Sequence, residues 1–202
     1  MPCPQCDDTG WRPVEEHGIR RVVRCDCWRQ QVGQHRLADA NIPKRYVHCT
    51  LANFTVYNES LERALECARR VPERFAEART REQQGRGIFL EGPPGVGKTH
   101  LAVAVLKQVI VTFGARGLFY DTRDLLRVIR STYDPSIRTT ELEVLRPVMT
   151  ADLLVLDDLG AEKTSEWVEE TMNLIVNTRY NERRLTIFTS NYMDIPEDDD
   201  PN

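Results

Sequence analysis

A glycine-rich stretch near the middle of the chain has the residue types and the spacing that bind phosphate groups. Residues 92–99 read GPPGVGKT, which matches the pattern G-x-x-x-x-G-K-[ST] between a predicted strand and a predicted helix. Glycines let the backbone wrap a β-phosphate, whose charge meets the N–H groups of the loop and the helix start. Lys98 would reach the β- and γ-phosphates, and the Thr99 hydroxyl would bind Mg²⁺, whereas a fortuitous glycine turn is the alternative. The predicted phosphate-binding residues are Gly92, Pro93, Pro94, Gly95, Val96, Gly97, Lys98 and Thr99.

Polar residues end two further apolar runs, where a nucleotide-hydrolysing site needs a carboxylate and a polar side chain. The run Leu153–Leu156 ends in Asp157, which we expect on the Mg²⁺ side, and Asp158, which would orient or deprotonate the attacking water. Asn191 follows the last predicted strand and can hydrogen-bond both phosphate and water. Acids and turn residues that merely end strands are the alternative. The predicted catalytic residues are Lys98, Asp157, Asp158 and Asn191.

Four of the six cysteines form two short pairs near the N-terminus. Cys3 and Cys6 are spaced as Cys-x-x-Cys, and Cys25 and Cys27 as Cys-x-Cys. Two such halves close a four-thiolate Zn²⁺ site, and metal binding would supply the free energy that orders a segment without its own core. A redox pair or an iron–sulfur cluster is the alternative. His17 and His35 could substitute as ligands, but four thiolates need neither. The two remaining cysteines, Cys49 and Cys67, are expected to be buried thiols.

The order of the predicted elements indicates an α/β fold. From Gly85 onward, short apolar strands alternate with helices, which is typical of a parallel sheet with helices on both faces. We expect strands at 88–90, 118–120, 153–156 and 185–189, and helices at 99–113 and 122–131. A further helix is predicted to start at the cap Thr164, with its inner face formed by Val168, Met172, Ile175 and Val176.

The chain divides into three predicted regions. Residues 1–40 are a cysteine-rich zinc-binding module within an irregular segment of about 48 residues, residues 41–84 are a linker and a charged helix, and residues 85–202 are the nucleotide-binding core. The charged helix is expected over 59–84 with a kink at Pro72. Its predicted buried residues are Leu61, Leu65, Ala68 and Phe75.

Length, charge and hydropathy exclude several classes of protein. The chain has 202 residues with 41% hydrophobic and 29% charged residues, which is enough for one domain with a small module. No apolar run approaches the ~20 residues of a membrane span, and the N-terminus lacks the features of a signal peptide, so we expect a cytoplasmic protein. The net charge of −4 argues against a surface coated in basic charge, so any nucleic-acid contact must use a local patch.

The three motifs together resemble those of the AAA+ ATPases in the DnaC/DnaI helicase-loader group and of their IstB-type transposition-helper relatives. The shared stretches are GPPGVGKTHLA at 92–102, LDDLGAE at 156–162 and FTSNY at 188–192, within a resemblance that covers roughly residues 42–192. The resemblance extends the nucleotide-binding stretch to His100. The paired cysteines are similar to those of the loaders rather than the transposition helpers.

The resemblance implies a set of ligands and partners. It implies binding of ATP and ADP with Mg²⁺, Zn²⁺ at the cysteines, a replicative helicase held by the zinc region, single-stranded DNA held by the ATPase domain, and assembly into an AAA+ oligomer. Candidate DNA contacts follow the second core strand, although interleaved acids leave a plain solvated helix as the alternative. These candidates are Arg123, Arg127, Arg130, Tyr133 and Arg138.

The C-terminal end departs from the family pattern. Family members continue past the last motif with an arginine finger, a fifth strand and a helical lid, which we expect to be missing because the sequence ends at Asn202. Arg183 and Arg184 precede the fourth core strand and cannot replace the finger. The sequence therefore favours a helicase loader that hydrolyses ATP weakly. A transposition helper and an adaptor that binds ATP without hydrolysis are the alternatives, with a small-molecule kinase as a remote fourth.

Overall fold

The computed structural model describes residues 2–16, 18–80 and 87–193 and consists of two sheets and six helices in those ranges. A short 3₁₀ turn at Lys44–Tyr46 links the N-terminal part to the rest. The strands in chain order are β1 (Trp11–Glu16), β2 (Ile19–Arg24), β3 (Ile88–Glu91), β4 (Gly117–Asp121), β5 (Leu153–Leu159) and β6 (Leu185–Ser190). The helices are α1 (Asp26–Ala38), α2 (Glu59–Thr80), α3 (Lys98–Phe113), α4 (Thr122–Ser131), α5 (Glu141–Thr150) and α6 (Glu166–Asn181).

The larger sheet is parallel, as the alternation of strands and helices predicts. Its strand order is β3-β6-β5-β4, so the strand that precedes the glycine-rich loop lies beside β6, the strand that Asn191 follows. Since all four strands run in the same direction, their carboxyl ends meet at one edge. This edge brings together motifs that are up to a hundred residues apart in the chain.

Helices cover both faces of this sheet, which confirms the predicted layers. The side chains of β5 alternate: Leu153 and Val155 pack in one hydrophobic cluster with α2 and α3, whereas Leu154 and Leu156 pack in a second cluster with α4, α5 and α6. All four leucine and valine side chains are completely buried. The continuous apolar run of β5 therefore reflects a strand buried on both faces.

The N-terminal segment contains regular structure, so the prediction that it is irregular is wrong. Strands β1 and β2 form an antiparallel hairpin, with Trp11 opposite Arg24, and α1 follows directly. Most residues of β2 are exposed, as are Ile19 and Val22. Because neither face of the hairpin is buried in a core, the sequence lacks the alternation that marks a half-buried strand.

Three local predictions need correction, and one helix is new. Helix α6 begins one residue later than expected, because the Ser165 hydroxyl, rather than Thr164, accepts the capping bond from Val168 N. Val176 lies on the exposed side of α6, and Cys67 is exposed on α2, whereas Cys49 is buried as predicted. The structure also adds α5, which the sequence pattern did not reveal.

Helix α2 agrees with its predicted buried face and continues through Pro72 to Thr80. Its four predicted core residues are buried: Leu61, Leu65, Ala68 and Phe75. The predicted helical residues 81–84, the candidate ligand His17 and everything after residue 193 lie outside the described residues. In the described ranges, none of the helices combines the length and the hydropathy that a membrane crossing requires.

Candidate nucleotide and metal sites

The glycine-rich loop joins the end of β3 to the start of α3. Gly92, Gly95 and Gly97 adopt φ angles of 136°, 86° and 97°, a region that strains any residue with a side chain. A Cβ at Gly97 would also lie 2.6 Å from the ring of Phe54. Glycine is therefore required at these positions both by backbone conformation and, at Gly97, by the approach of a neighbouring ring.

Lys98 lies at the first position of α3 with its ammonium group enclosed by the loop. Its Nζ donates hydrogen bonds to the carbonyl oxygens of Gly92, at 2.7 Å, and Pro93, at 2.9 Å, and to Asn191 Oδ1, at 2.8 Å. Burial lowers the pKa of Lys98, and the nearby carboxylates of Asp158 and Asp157 oppose this shift. Lys98 therefore links the loop at the end of β3 to the residue after β6.

Asp157 contacts the loop helix directly. Its Oδ1 accepts hydrogen bonds from the hydroxyls of Thr99, at 2.8 Å, and Thr189, at 2.7 Å, and only 5% of the residue is exposed. Burial raises the pKa of Asp157, and the two hydroxyl bonds act against that rise. A carboxylate and a hydroxyl oxygen in contact are the ligands that the P-loop type of Mg²⁺ site uses, so this pair fits the ion.

Asp158 is held by three neighbours at a distorted point of β5. Its φ of 60° lies at the register irregularity between β5 and β6, a conformation that costs energy for a residue other than glycine. Asn191 Nδ2 donates to Asp158 Oδ1 at 2.5 Å, Arg123 Nη2 lies 3.1 Å from Oδ2, and Asp158 N donates to Thr189 Oγ1 at 2.9 Å. Asn191 therefore bridges Lys98 and Asp158.

A cleft of about 390 Å³ opens over these side chains. It is lined by most of the predicted residues, among them Gly95, Lys98, Thr99, Asp157, Asp158 and Asn191. Gly92, Pro93 and Val96 line a second, more apolar cleft of about 490 Å³, on the side of α2 and β3. The predicted set is thus brought together, but it is divided between two adjoining clefts.

His100 lies in the first cleft with its ring engaged. Its Nε2 is 2.9 Å from the carbonyl oxygen of Thr50, and its ring meets that of Phe54 edge-on. Four further residues line the cleft that the sequence pattern does not assign to it, because their contacts are long-range: Arg45, Tyr46, Asp121 and Arg123. Of these, the sequence marks Arg123 only as a candidate DNA contact.

The four paired cysteines meet at one point, as the sequence predicts. Their Sγ atoms all lie within 4.8 Å of one another, with Cys3 and Cys25 3.8 Å apart and Cys6 and Cys27 3.2 Å apart. Tetrahedral bonds of ~2.3 Å to zinc place sulfurs ~3.8 Å apart, so the donor set fits this ion. Within the described ranges, no other group of three or more potential ligands is as close, and His35 is not part of this one.

Turn residues shape the loops around the cysteines. Asp7, Asp8 and Gly10 adopt left-handed φ angles, and Cys25 N donates to the carbonyl oxygen of Gly10 at 2.9 Å. Burial acts to raise the pKa of Cys6, but hydrogen bonds from Cys27, from the Gly10 backbone and from the other two cysteines together outweigh it and lower the pKa to about 7. A thiol that ionises near neutral pH is ready to act as a metal ligand.

An exposed aromatic cluster lies beyond α4, where the candidate DNA residues were expected. The Tyr133 hydroxyl accepts a bond from Trp167 Nε1 at 3.1 Å and contacts Glu141 Oε1 at 3.0 Å. The Arg130 guanidinium stacks 4.5 Å from the Trp167 ring, and Tyr133 is 52% exposed. Trp167 was missed because it belongs to another helix. Arg123 instead faces Asp158, and Arg127 pairs with Asp124.

The comparisons with known proteins agree with this geometry. The family model described as "IstB-like ATP binding protein" matches residues 69–194, which is more than half of the chain. The replicative helicase loader DnaC of Buchnera aphidicola is 28% identical over 158 residues, covering 78% of this chain and 61% of the relative. The chain thus spans about three fifths of the length of this curated relative.

Solved structures of replication proteins share the fold, among them a helicase loader and a replication initiator. A crystal structure of the DnaC helicase loader superposes with a TM-score of 0.65 and 37% identity, covering 77% of this chain and 84% of that one. A replication initiator DnaA bound to AMPPCP and single-stranded DNA superposes with a TM-score of 0.60 and 25% identity, covering 75% and 43% of the two chains.

Proposed function

The chain belongs to the family of IstB-like ATP-binding proteins and to its DnaC group, and from this we propose that it is an ATP-hydrolysing loader of a replicative helicase. The observation that carries the proposal is the contact of the Thr99 hydroxyl with Asp157, because it joins the phosphate-binding loop to the acidic strand. In the proposed cycle, the nucleotide state controls the binding of single-stranded DNA and helicase, and the assembly of the protein into an oligomer.

The chain's own side chains divide the work at the phosphates. The loop amides and Lys98 bind the phosphate charge, while Thr99 and Asp157 would hold Mg²⁺, which supplies charge neutralisation at the β- and γ-phosphates. Asp158 accepts a proton from the attacking water, and Asn191 orients that water or the phosphate. Because Lys98 and Asp158 both contact Asn191, a phosphate that draws Lys98 away also changes the contacts of Asp158.

The cysteine site distinguishes the loader proposal from that of a transposition helper. Four thiols arranged for tetrahedral bonds would hold Zn²⁺, which orders the hairpin β1–β2 beside it. The hairpin exposes Trp11, Ile19 and Val22, together with several arginines. An exposed surface of large apolar and cationic side chains suits contact with another protein. We therefore assign the helicase to this hairpin.

Single-stranded DNA is assigned to the cluster of Arg130, Tyr133 and Trp167. Aromatic rings and guanidinium planes stack on bases without regard to sequence, and each stacked base contributes ~1–3 kcal/mol. The DnaA structure that shares this fold is described as bound to single-stranded DNA, which supports a DNA-binding role for the fold. Arg138 is exposed in the segment that follows α4 and would contact the phosphate backbone.

A second candidate function is an adaptor that binds ATP without hydrolysing it. The observation in its favour is that both oxygens of Asp158 are engaged, by Asn191 and by Arg123. A base in this state is unavailable to water until one partner moves. The two candidates differ in turnover and not in binding.

The test is to measure nucleotide affinity and ATP turnover separately, with and without single-stranded DNA. We expect Lys98→Ala to lose nucleotide binding by ~10–100-fold, since a hydrogen bond to a charged group contributes ~1.5–3 kcal/mol. Asp158→Asn should retain binding and lose turnover, and Asp124→Asn, on the exposed side of α4, is the matched control. Binding without turnover in the unaltered chain would select the adaptor, and unchanged affinity in Lys98→Ala would reject the site.

The DNA and helicase assignments have their own measurements. Replacing Tyr133 and Trp167 by alanine should weaken binding of a fluorescent oligonucleotide and leave nucleotide affinity unchanged. Replacing Trp11 and Val22 by serine should weaken capture of a purified replicative helicase without affecting the oligonucleotide. Unchanged oligonucleotide binding in the Tyr133 and Trp167 variant would refute the DNA assignment. Unchanged helicase capture in the Trp11 and Val22 variant would refute the helicase assignment.

A further inference from the structure

We propose that metal binding at the four cysteines and nucleotide binding at the glycine-rich loop strengthen each other, because helix α1 packs both against the loops of the cysteine site and against the nucleotide-binding core. The inference rests on the metal and nucleotide binding proposed above and concerns the coupling between them. It assigns to the cysteine site a role in the nucleotide-binding core, in addition to the hairpin's contact with a partner.

The first turn of α1 is built into the cysteine site. Cys25 is the residue that precedes the helix, and Cys27 lies in its first turn. The Gly10 carbonyl accepts from Cys25 N, and a Cβ at Gly10 would lie 3.2 Å from the Trp28 ring. The start of α1 is therefore fixed by the same loops that place the sulfur atoms.

The remainder of α1 is built into the core. A Cβ at Gly33 would lie only 3.3 Å from the Cα atom of Val111, so α1 and α3 cross at close range at this glycine. The Arg36 guanidinium donates to the carbonyl of Gly114, the residue that ends α3. Leu37 packs against the hydrophobic cluster that contains the buried face of α3. Helix α1 therefore contacts both the loops that hold the cysteines and helix α3, which begins at the glycine-rich loop.

The chain that follows α1 completes the edge of the parallel sheet. Ala40 is fully buried, and its carbonyl accepts a hydrogen bond from the Phe119 amide at 2.8 Å. Phe119 belongs to β4, the edge strand that leads to Asp121 in the nucleotide cleft. Helix α3, which α1 contacts at its far end, begins with Lys98 and Thr99.

These contacts make α1 dependent on both of its ends. A helix of 13 residues with a polar composition is marginal alone in water, so its stability comes from packing. Loss of the metal frees the first turn and weakens the contacts with α3 and β4. Because the coupling between two ligands is reciprocal, nucleotide must then raise the affinity for the metal by the factor by which metal raises the affinity for nucleotide, typically ~5–150-fold.

The experiment uses the full, zinc-loaded chain and measures its zinc affinity by equilibrium competition with a zinc-selective dye. A saturating ATP analogue that resists hydrolysis should raise the zinc affinity several-fold, and zinc removal should weaken binding of that analogue by the same factor. Arg36→Ala should reduce both effects while each ligand still binds. His35→Ala, on the exposed side of the same helix, is the matched control and should retain them.

The outcomes separate the coupling from the proposals beneath it. A chain that holds no zinc rejects the metal site, and a chain that does not bind the analogue rejects the nucleotide site. If both bind and the zinc affinity is the same with and without the analogue, the coupling is refuted and the two binding proposals stand.

Hydrogen exchange in the unaltered chain provides a test that needs no variant. Removal of zinc should speed exchange of the Phe119 amide, whose partner is Ala40, more than that of the Val155 amide in the sheet interior. Equal protection of Phe119 in the zinc-loaded and zinc-free protein would overturn the proposal, because the edge of β4 would then be independent of α1.

Discussion

The nucleotide site and the cysteine site are built in opposite ways. Asp157 and its neighbours lie at the ends of strands whose apolar residues are buried on both faces, so the fold holds them in place. Cys3 and Cys6 lie on a loop and Cys25 and Cys27 at the start of α1, beside a hairpin with little buried surface. Under the proposed zinc binding, the bonds to the metal would supply the order of this site. A site supported by a core survives loss of its ligand, whereas a site without one depends on it.

The largest expected effect follows from removing one metal ligand. Cys25→Ser removes a buried thiol that also begins α1, and we expect zinc affinity to fall by more than ~100-fold, since even outer-shell changes cost ~10–100-fold. The measurement is zinc content and competition with a chelator of known affinity. Cys67→Ser, on the exposed face of α2, is the control. Equal zinc affinity in both variants would show that Cys25 is not a metal ligand, and the proposed dependence of the cysteine site on its metal would fail.

The core side of the comparison depends on a buried arginine. Arg179 is 1% exposed and donates hydrogen bonds to carbonyl oxygens that include those of Val148 and Ala151 at the end of α5. Burial lowers its pKa to about 9. Arg179→Met leaves several buried carbonyls unpaired, so we expect a loss of ~3–5 kcal/mol in the free energy of unfolding, measured by urea titration.

The control for this variant is Arg127→Met, which replaces an exposed arginine paired with Asp124 and should change stability by less than ~1 kcal/mol. If Arg179→Met changes the free energy of unfolding by as little, the core tolerates carbonyl oxygens without hydrogen-bond donors. Helix α5 and strand β6 would then be held together by packing alone.

A smaller effect is expected at Asp157, where function opposes stability. Because burial raises its folded pKa, the proton is bound more tightly in the folded chain, and stability is lost as the pH rises from the unfolded value of ~3.9 through the raised value. Asp157→Asn cannot ionise and can still accept from Thr99 and Thr189. We expect it to be more stable than the unaltered chain near neutral pH, and the difference to shrink on acidification.

The measurement is thermal unfolding from pH 4 to 8 without nucleotide, where each kcal/mol shifts the midpoint of a chain this size by ~2–4 °C. Asp152→Asn is the comparison on a partly exposed carboxylate. A variant at Asp157 that is less stable at every pH would show that the carboxylate's hydrogen bonds outweigh its burial.

The smallest effect on stability, with a clear effect on activity, is expected for Arg123→Ala. The Arg123 side chain is 51% exposed, so its ion pairs contribute at most ~1 kcal/mol. Of the two side chains described in contact with the Asp158 carboxylate, this variant removes Arg123 and leaves Asn191. We therefore expect ATP turnover to change, whereas nucleotide affinity should not. Unaltered turnover in this variant, assayed beside Arg127→Ala, would show that the contact with Asp158 is incidental.

Several features of the fold followed directly from local patterns. The apolar run before Asp157 predicted a buried strand, and alternation of strands and helices predicted the parallel sheet, because both patterns arise from which faces are buried. The hairpin β1–β2 and the helix α5 were not predicted from these patterns. Their residues are exposed or mixed in polarity, and exposed elements leave a weak periodic signal.

The candidate site divides in the same manner. The spacing of the glycines, of Lys98 and Thr99, and of the paired cysteines could be read directly, since the backbone and the metal geometry impose fixed intervals on neighbouring residues. Arg45, Arg123 and Trp167 could not be assigned from the sequence, because each contacts residues far away in the chain and no fixed spacing relates them.

The sequence by itself determined the chemistry of the two sites, because a phosphate loop and a four-thiolate cluster each require particular residues at particular spacings. Only the tertiary structure decided how the sites are connected. Asp158 meets Arg123, and α1 joins the cysteines to α3 and β4, since strand order and helix packing bring distant residues together through burial that is shared across the whole chain.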